Sequence, residues 1–395
     1  MTDHILLCGI DVVGSEKDIL DPNCRYALLS NEASINRQGQ SVKNALITQG
    51  LKITRLFSPE HGIHARGEDG HRQDDKTDPE TGLPITSLYG PQLKPPDLVG
   101  PDFDAVLLDL PNIGARFYTY LWTMALMMEW CDSNRIPLII LDRPNPLGGN
   151  LENAEGPYLK PEYRSFIGKW NIPIRFCLTL GELAKCLKVE MKLEALSLRV
   201  IPIYGWKRIQ TNHSIDYPFT PPSPAIVDKM TIWTYPALCF LEATNISESR
   251  GGPHSFQVAC APWINGKSLE KVMNNYSLPG SLFYFFKEKS ISNKYSGQYC
   301  EGVRLVINDF KIYSPVYCGL VLLATLKQLY PEHFKWQPYP TFVNPSGAHH
   351  LELLTGTDEI TPWINHLPLD HLRQLEQILT VPDWKERTLP HLIYS

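Results

Sequence analysis

Six short apolar runs separated by helix-patterned segments fill the first half of the chain: Ile5–Val13, Tyr26–Ser30, Ile53–Ser58, Ala105–Leu110, Pro137–Asp142 and Leu196–Ile203. Runs of this length, rich in Leu, Ile and Val and bounded by turn residues, read as strands buried on both faces. Helices fall between them. Ser41–Gln49 is followed by Gly50, placed to close a helix. Phe117–Arg135 repeats apolar residues at helical spacing, and Thr179-Leu-Gly-Glu182 has the form of a capping box. Strands alternating with helices call for crossover connections, so the expected fold class is α/β, a doubly wound parallel sheet.

The alternation stops at Tyr217–Met230, YPFTPPSPAIVDKM, where four prolines fall between Pro218 and Pro224. Proline removes amide donors and disfavours helix before it, so this segment reads as an extended connector. The expected domains are therefore residues 1–218 and 219–395. The second half is less regular, with helices expected near Tyr235–Thr244, Ser268–Asn275 and Val316–Tyr330 and a strand at Gly302–Ile307. It reads as a smaller α+β domain.

Composition removes several function classes. Lys and Arg number 37 against 42 Asp and Glu, a net charge of −5, which argues against nucleic acid as a partner. With 43% hydrophobic and 10% aromatic residues, 395 residues bury a core without a metal or disulfide staple. No run approaches the 18 or so apolar residues of a membrane span. Met1–Gly14 has no basic segment ahead of its apolar run and does not read as a signal peptide. The nine cysteines form no CxxC pair, which suits free thiols in a reducing cytoplasm, the expected location. Oligomeric state is not legible.

In an open α/β sheet, ligands bind beyond the carboxyl ends of the strands. Those ends here lead to Asn31, to Pro59-Glu60-His61-Gly62, to Asp109 and Pro111-Asn112-Ile113-Gly114-Ala115-Arg116, and to Asp142-Arg143-Pro144-Asn145-Pro146. Proline is frequent at these ends, and the chain holds 33 prolines, about 8% against a usual 5% or so. No GxGxxG follows the first strand, since Gly9 and Gly14 are wrongly spaced, and neither a phosphate-cradling loop nor GxSxG occurs. His61, His64, His71, Asp74 and Asp75 cluster without a fixed metal-ligand spacing. The expectation is no metal and no cofactor. That leaves carboxylates. Glu60 is placed to act as a general acid of glycoside hydrolysis, with Asp109 as a second carboxyl. Spacing alone leaves equally open that Glu60 caps a helix or pairs with Arg66.

A resemblance gathers on these residues. Phe57–Gly62 (FSPEHG), Gly82–Gly90 (GLPITSLYG), Gly114–Tyr120 (GARFYTY) and Leu141–Gly149 (LDRPNPLGG) resemble, in order, one bacterial family. So do Glu155–Pro157, Ser165–Arg175, Gly205–Arg208, Pro221–Pro224, Leu241–Gly251 (LEATNISESRG) and Ala261–Ile264. This is the exo-β-N-acetylmuramidase family of the NamZ type, long catalogued as a domain of unknown function. The resemblance spans nearly the whole chain. It implies a Rossmann-like N-terminal domain and a smaller C-terminal one, with the active site in the cleft between them. It also implies an enzyme, a glycosidase that releases terminal N-acetylmuramic acid from peptidoglycan fragments without a nucleotide. The glutamate of the PEHG motif carries over to Glu60, with His61 beside it.

The remaining roles follow from chemistry. Arg116, Arg143 and Arg250 are the candidate cations for the lactyl carboxylate. Asn31, Asn145 and Asn245 suit hydroxyls and the N-acetyl group, and Glu248 neighbours Arg250. Tyr118, Tyr120, Trp206 and Trp263 are candidates for stacking on sugar faces. The chain departs from the family pattern at Asn112, Phe176 and Ala225, where aspartate, histidine and asparagine are usual. These losses keep two alternatives open: a non-catalytic muropeptide sensor, or a deacetylase or esterase on the same scaffold.

Overall fold

The computed structural model describes residues 5–395 apart from 17, 72, 73, 75, 97–100, 212, 292, 293 and 366–371. Alternation of side chains along the central strands sorts two cores. In β1 (Arg25–Leu29), Ala27 and Leu29 face one core and Tyr26 and Leu28 the other. In β5 (Ala105–Leu108), Val106 and Leu108 oppose Ala105 and Leu107. In β6 (Leu138–Leu141), Leu138 and Ile140 oppose Ile139 and Leu141. Period-two alternation between two apolar layers is what a sheet covered on both faces demands.

With β2 (Lys52–Ser58), β3 (Lys76–Thr77), β4 (Pro84–Ser87) and β7 (Leu198–Ile201), these strands form a seven-stranded sheet of order β3-β4-β2-β1-β5-β6-β7. Every described pairing is parallel except the β3–β4 edge. Helix α1 (Gly9–Ser15) and helix α2 (Val42–Thr48) pack on one face, while α3 (Tyr120–Asn134) and α4 (Leu180–Glu190) pack on the other. The crossover β1-α2-β2 runs one way from the centre and β5-α3-β6-α4-β7 the other. Crossovers of one hand therefore place their helices on opposite faces. The carboxyl ends of β1, β2, β5 and β6 share a rim, as the fold class predicts.

One expected strand is a helix. The run Ile5–Val13 contributes a single bridge, Leu7 with Tyr204, and turns into α1 at Gly9. The Asp11 carboxylate accepts the Cys8 amide at 2.8 Å, which starts the helix. Gly9 abuts the β6 backbone so closely that a Cβ would lie 2.6 Å from Asp142 N. An apolar run of this length suits a buried first helical turn as well as a strand. The capping box at Thr179 forms as read, with the Thr179 side chain accepting from the Glu182 amide.

The second half carries a smaller antiparallel sheet of order β8-β10-β9, from β8 (Val258–Ala261), β9 (Ser281–Lys289) and β10 (Tyr299–Ile307). Helices α5 (Lys229–Leu238), α6 (Gly266–Asn275) and α7 (Pro315–Leu329) accompany it. Helix α5 begins six residues before the expected Tyr235, because Asp228 caps it by accepting the Thr231 amide. Beyond Pro236 and Leu238 it tightens into a 3₁₀ turn, Cys239–Ala243. Helix α8 (His350–Thr355) and three further short helices, Ile360–Asn365, Leu372–Leu379 and Trp384–Thr388, follow.

The last described residues return to the first sheet. Tyr394 Oη donates to Asp142 Oδ2 at 2.6 Å, and Glu182 Oε1 accepts the Ile393 amide at 3.0 Å. Among the described residues no helix is long and apolar enough to cross a membrane.

Candidate active site

Strand β2 delivers Glu60 to the rim, and two backbone features hold it there. His61 and Gly62 both have positive φ, +68° and +73°, so the chain turns sharply after the glutamate. A histidine in this region is strained, which is typical of residues fixed for function. The His61 Nδ1 lies 2.8 Å from Gly67 O, so this nitrogen carries a proton. The loop then folds back until the Gly70 amide donates to Glu60 Oε1 at 3.0 Å. From the start of α3, the Thr119 hydroxyl donates to Glu60 Oε2 at 2.7 Å.

Glu60 is 5% exposed and lines a narrow cavity. Tyr89, Phe117, Tyr118 and Tyr235 supply aromatic walls, and Asp69, Glu242, Arg250, Tyr339 and His350 supply the polar ones. His61, Asp69, Ala225, Arg250 and Tyr339 also line a larger outer groove, which adds Glu68, His71, Glu248 and Lys294. Inner cavity and outer groove thus meet at these five residues.

The two carboxyls at that junction are driven apart. Burial raises the Glu60 carboxyl above its ordinary range; the His61 charge opposes this and the Asp69 charge adds to it. Burial would also raise Asp69, but Arg250, then His61 and the Tyr339 hydroxyl, outweigh it and hold Asp69 below the ordinary range. Arg250 Nη1 lies 3.4 Å from Asp69 Oδ1, and Tyr339 Oη donates to Asp69 Oδ2 at 2.5 Å. Arg250 also pairs with Glu242, whose other oxygen lies 2.8 Å from His350 Nε2.

Glu60, His61 and Asp69 bring one donor atom each within 4.8 Å of one another. Ligands of one small divalent ion at 2.0–2.2 Å sit roughly 3 Å apart. Both Glu60 oxygens are engaged by Gly70 and Thr119, and a guanidinium already faces Asp69. The trio fits proton chemistry better than a metal. His64 instead faces Glu32 at 2.6 Å, His71 is exposed, and Asp75 lies outside the described residues.

The structure divides the residues picked out from sequence into separate places. Glu60, His61, Tyr118 and Arg250 line the inner cavity, and Glu248 lines the outer groove beside Lys294 at 2.8 Å. Asp109 is fully buried in an ion pair with Arg143. Arg143 belongs to a different crevice, shared with Cys8, Pro111, Asn112, Tyr217 and Phe219. Arg116 is spent on four backbone carbonyls, of Pro157, Ile172, Leu354 and Thr355, at 2.7–3.1 Å. Lacking a carboxylate partner, it is pushed down to about 9 by burial. Asn145 clamps Leu178 O and the Leu147 amide, and Asn245 clamps His333 O and the Lys335 amide. Asn31 donates to the Tyr120 hydroxyl at 2.9 Å, one layer beneath Glu60. Trp206 packs against Tyr394, and Trp263 stacks on His333.

Of the three departures, only Ala225 borders the cavity. Asn112 accepts the Gly114 amide in the other crevice, and the buried Phe176 gives its carbonyl to Trp384. Sequence reasoning missed Asp69, Thr119, Glu242, Tyr339 and His350. A signal existed for Asp69, in the turn-forming Gly67-Glu68-Asp69-Gly70 just after PEHG. None existed for Tyr339 or His350.

Comparison with known proteins places the chain in a family. Residues 26–230 match the family model described as exo-β-N-acetylmuramidase NamZ, N-terminal, and residues 233–394 match its C-terminal counterpart. The chain is 37% identical over 324 residues, 82% of its own length and 78% of the relative's, to the peptidoglycan β-N-acetylmuramidase NamZ of Bacillus subtilis strain 168. A DUF1343-family protein of Bacteroides fragilis aligns with a TM-score of 0.87 at 27% identity over 99% of both chains. A second one aligns at 0.71 and 24% identity, which speaks to the fold alone. With both models matched and nearly every described residue past 25 covered, the chain belongs to the exo-β-N-acetylmuramidase NamZ family.

Proposed function

We propose that this chain is an exo-acting glycoside hydrolase that releases terminal β-linked N-acetylmuramic acid from peptidoglycan fragments, with Glu60 as general acid. The observation that carries the reading is a buried carboxyl, raised by its surroundings, at an aromatic-walled cavity entered from a wider groove. In this reading the terminal sugar enters at the mouth of the cavity and the rest of the substrate lies in the groove, which suits cleavage from a chain end. A carboxyl whose surroundings favour the protonated form can donate to the departing oxygen. Family membership supports the substrate class.

Of the three arginines considered for the lactyl carboxylate, Arg250 is the one on the cavity wall, and among the described residues its Nε faces Glu248 without a hydrogen bond. We assign it that role, with Tyr118 and His61 contacting the sugar and Glu248 orienting Arg250 from 3.6 Å. All nine cysteines are free and eight are buried, which supports action in a reducing cytoplasm on small fragments. We place the division between the two halves at the 218/219 connector, whereas the two family models meet between residues 230 and 233.

The test is Glu60→Gln assayed on an aryl β-N-acetylmuraminide. Turnover should fall about 10²–10⁴-fold while affinity for muramic acid survives. Full activity in that variant would sink the assignment. A wild type that binds but never turns over would point to a sensor.

A further inference from the structure

We propose that Asp69 is the second catalytic carboxylate, the nucleophile that attacks the anomeric carbon while Glu60 serves the glycosidic oxygen; this rests on the hydrolase reading above. Sequence pointed to Asp109 for the role, but that carboxylate is fully buried against Arg143. Asp69 is where a second carboxyl has to be. Its side chain is 32% exposed and borders both the inner cavity and the outer groove. A bond joining a sugar in the cavity to one in the groove crosses the chain's surface beside it.

The separation from Glu60 is built in. Gly70, the residue after Asp69, gives its amide to Glu60 Oε1, so one short segment carries one carboxyl and grips the other. Gly70 has φ +68°, and a Cβ there would lie 2.9 Å from Thr341 Cγ2, so the segment is packed as well as bonded. Donor oxygens of the two carboxyls lie within 4.8 Å. Retaining glycosidases place their carboxyls roughly 5–5.5 Å apart, and inverting enzymes need about 6.5–9.5 Å to admit a water. The closest approach here falls on the retaining side of that division.

The surroundings also assign the roles. Asp69 faces Arg250, the Tyr339 hydroxyl, His61 and His350, and Glu60 on the other side. Its carboxyl is the one with a guanidinium against it, which favours the ionised form that a nucleophile needs. Glu60 accepts from a neutral hydroxyl and an amide and has no guanidinium against it among the described residues; burial outweighs the neighbouring His61 and favours its protonated form.

The steps balance as follows. An Asp69 oxygen bonds to the anomeric carbon as the pair in the glycosidic bond moves to the departing oxygen, which takes the Glu60 proton. Water then attacks the anomeric carbon and gives a proton to Glu60, and the Asp69 carboxylate leaves with its bonding pair. The sugar emerges with its β configuration retained.

The test uses the full chain and a dinitrophenyl β-N-acetylmuraminide. Proton NMR of the first-formed sugar should show the β anomer; the α anomer would overturn the proposal. Asp69→Ala should lose at least about 10³-fold in kcat, and added azide should restore turnover and yield the α-glycosyl azide. Glu60→Ala with azide should yield the β azide instead. Retention combined with an Asp69→Ala variant that azide does not rescue would replace Asp69 by the substrate's own acetamido group. An Asp69→Asn variant with wild-type kcat beside an inactive Glu60→Gln would reject Asp69 and leave the Glu60 assignment standing. If Asp69→Ala does not fold, Tyr339→Phe serves. Losing that hydroxyl should move the acid limb of kcat/KM to higher pH, and an unmoved limb overturns the proposal.

Discussion

Thr119 and Glu60, 59 residues apart in sequence, share a 2.7 Å hydrogen bond in which the hydroxyl donates to the carboxylate. Thr119 stands at the N-cap of α3 yet makes no capping bond with its side chain. The hydroxyl that would ordinarily close the helix is turned to the acid.

That bond sets a pH limit. Glu60 donates its proton only while protonated, and its carboxyl is held above the ordinary range, so kcat/KM should be full below its value and fall as pH rises through it. The Thr119 bond favours the ionised form and lowers that value. Thr119→Val should therefore move the alkaline limb to higher pH. A pH–rate profile checks this, and a limb that stays or moves down assigns the titration to another group.

Arg116 should behave as a structural residue. Arg116→Met strips the donor from four buried carbonyls, two of them on α8, and should cost about 3–5 kcal/mol in a urea melt. The folded fraction should keep its KM for the muraminide. A rise in KM with unchanged stability would return Arg116 to the substrate site.

Glu155 makes stability depend on pH. Burial pushes its carboxyl up to about 7, against only Arg175 at 3.9 Å and two backbone amides, those of Tyr317 and Val316. A folded value above the unfolded one means the folded state holds a proton the unfolded chain releases. Its contribution is complete below the unfolded value near 4.5 and is lost as pH climbs to about 7, on the order of 3 kcal/mol. Glu155→Gln should flatten that slope in melts between pH 4 and 8 (roughly the span of both values). An unchanged slope would refute it.

Gly70→Ala should separate geometry from chemistry. The positive φ and the Thr341 contact force the segment to shift, at about 1–3 kcal/mol. The amide then leaves Glu60, and kcat should drop roughly 10- to 100-fold, equivalent to one misplaced hydrogen bond. Near wild-type kcat would show that the amide is not needed.

The sheet was legible because its strands are short apolar runs that few other folds accommodate, and Glu60 was legible because such a run ends at it. Asp109, Arg143 and Asn145 sit at strand ends too, and there the same rule misleads: the rim is wide enough for two crevices, and strand order decides which end faces which. The α1 segment was misread because one carboxylate, Asp11, outweighs an apolar pattern. Tyr339 and His350 reach the cavity from more than 270 residues beyond Glu60 in chain order, carried by packing that leaves no local trace.

The hydroxyl of Tyr394 that satisfies Asp142 is joined to the chain 252 residues after it. During synthesis the first sheet therefore emerges with a buried carboxylate that has Thr179 and Gly181 as donors but still lacks the Tyr394 hydroxyl. The first half can collapse early, but this stretch of its rim gains its last hydrogen bond only once residues of the second half have been made.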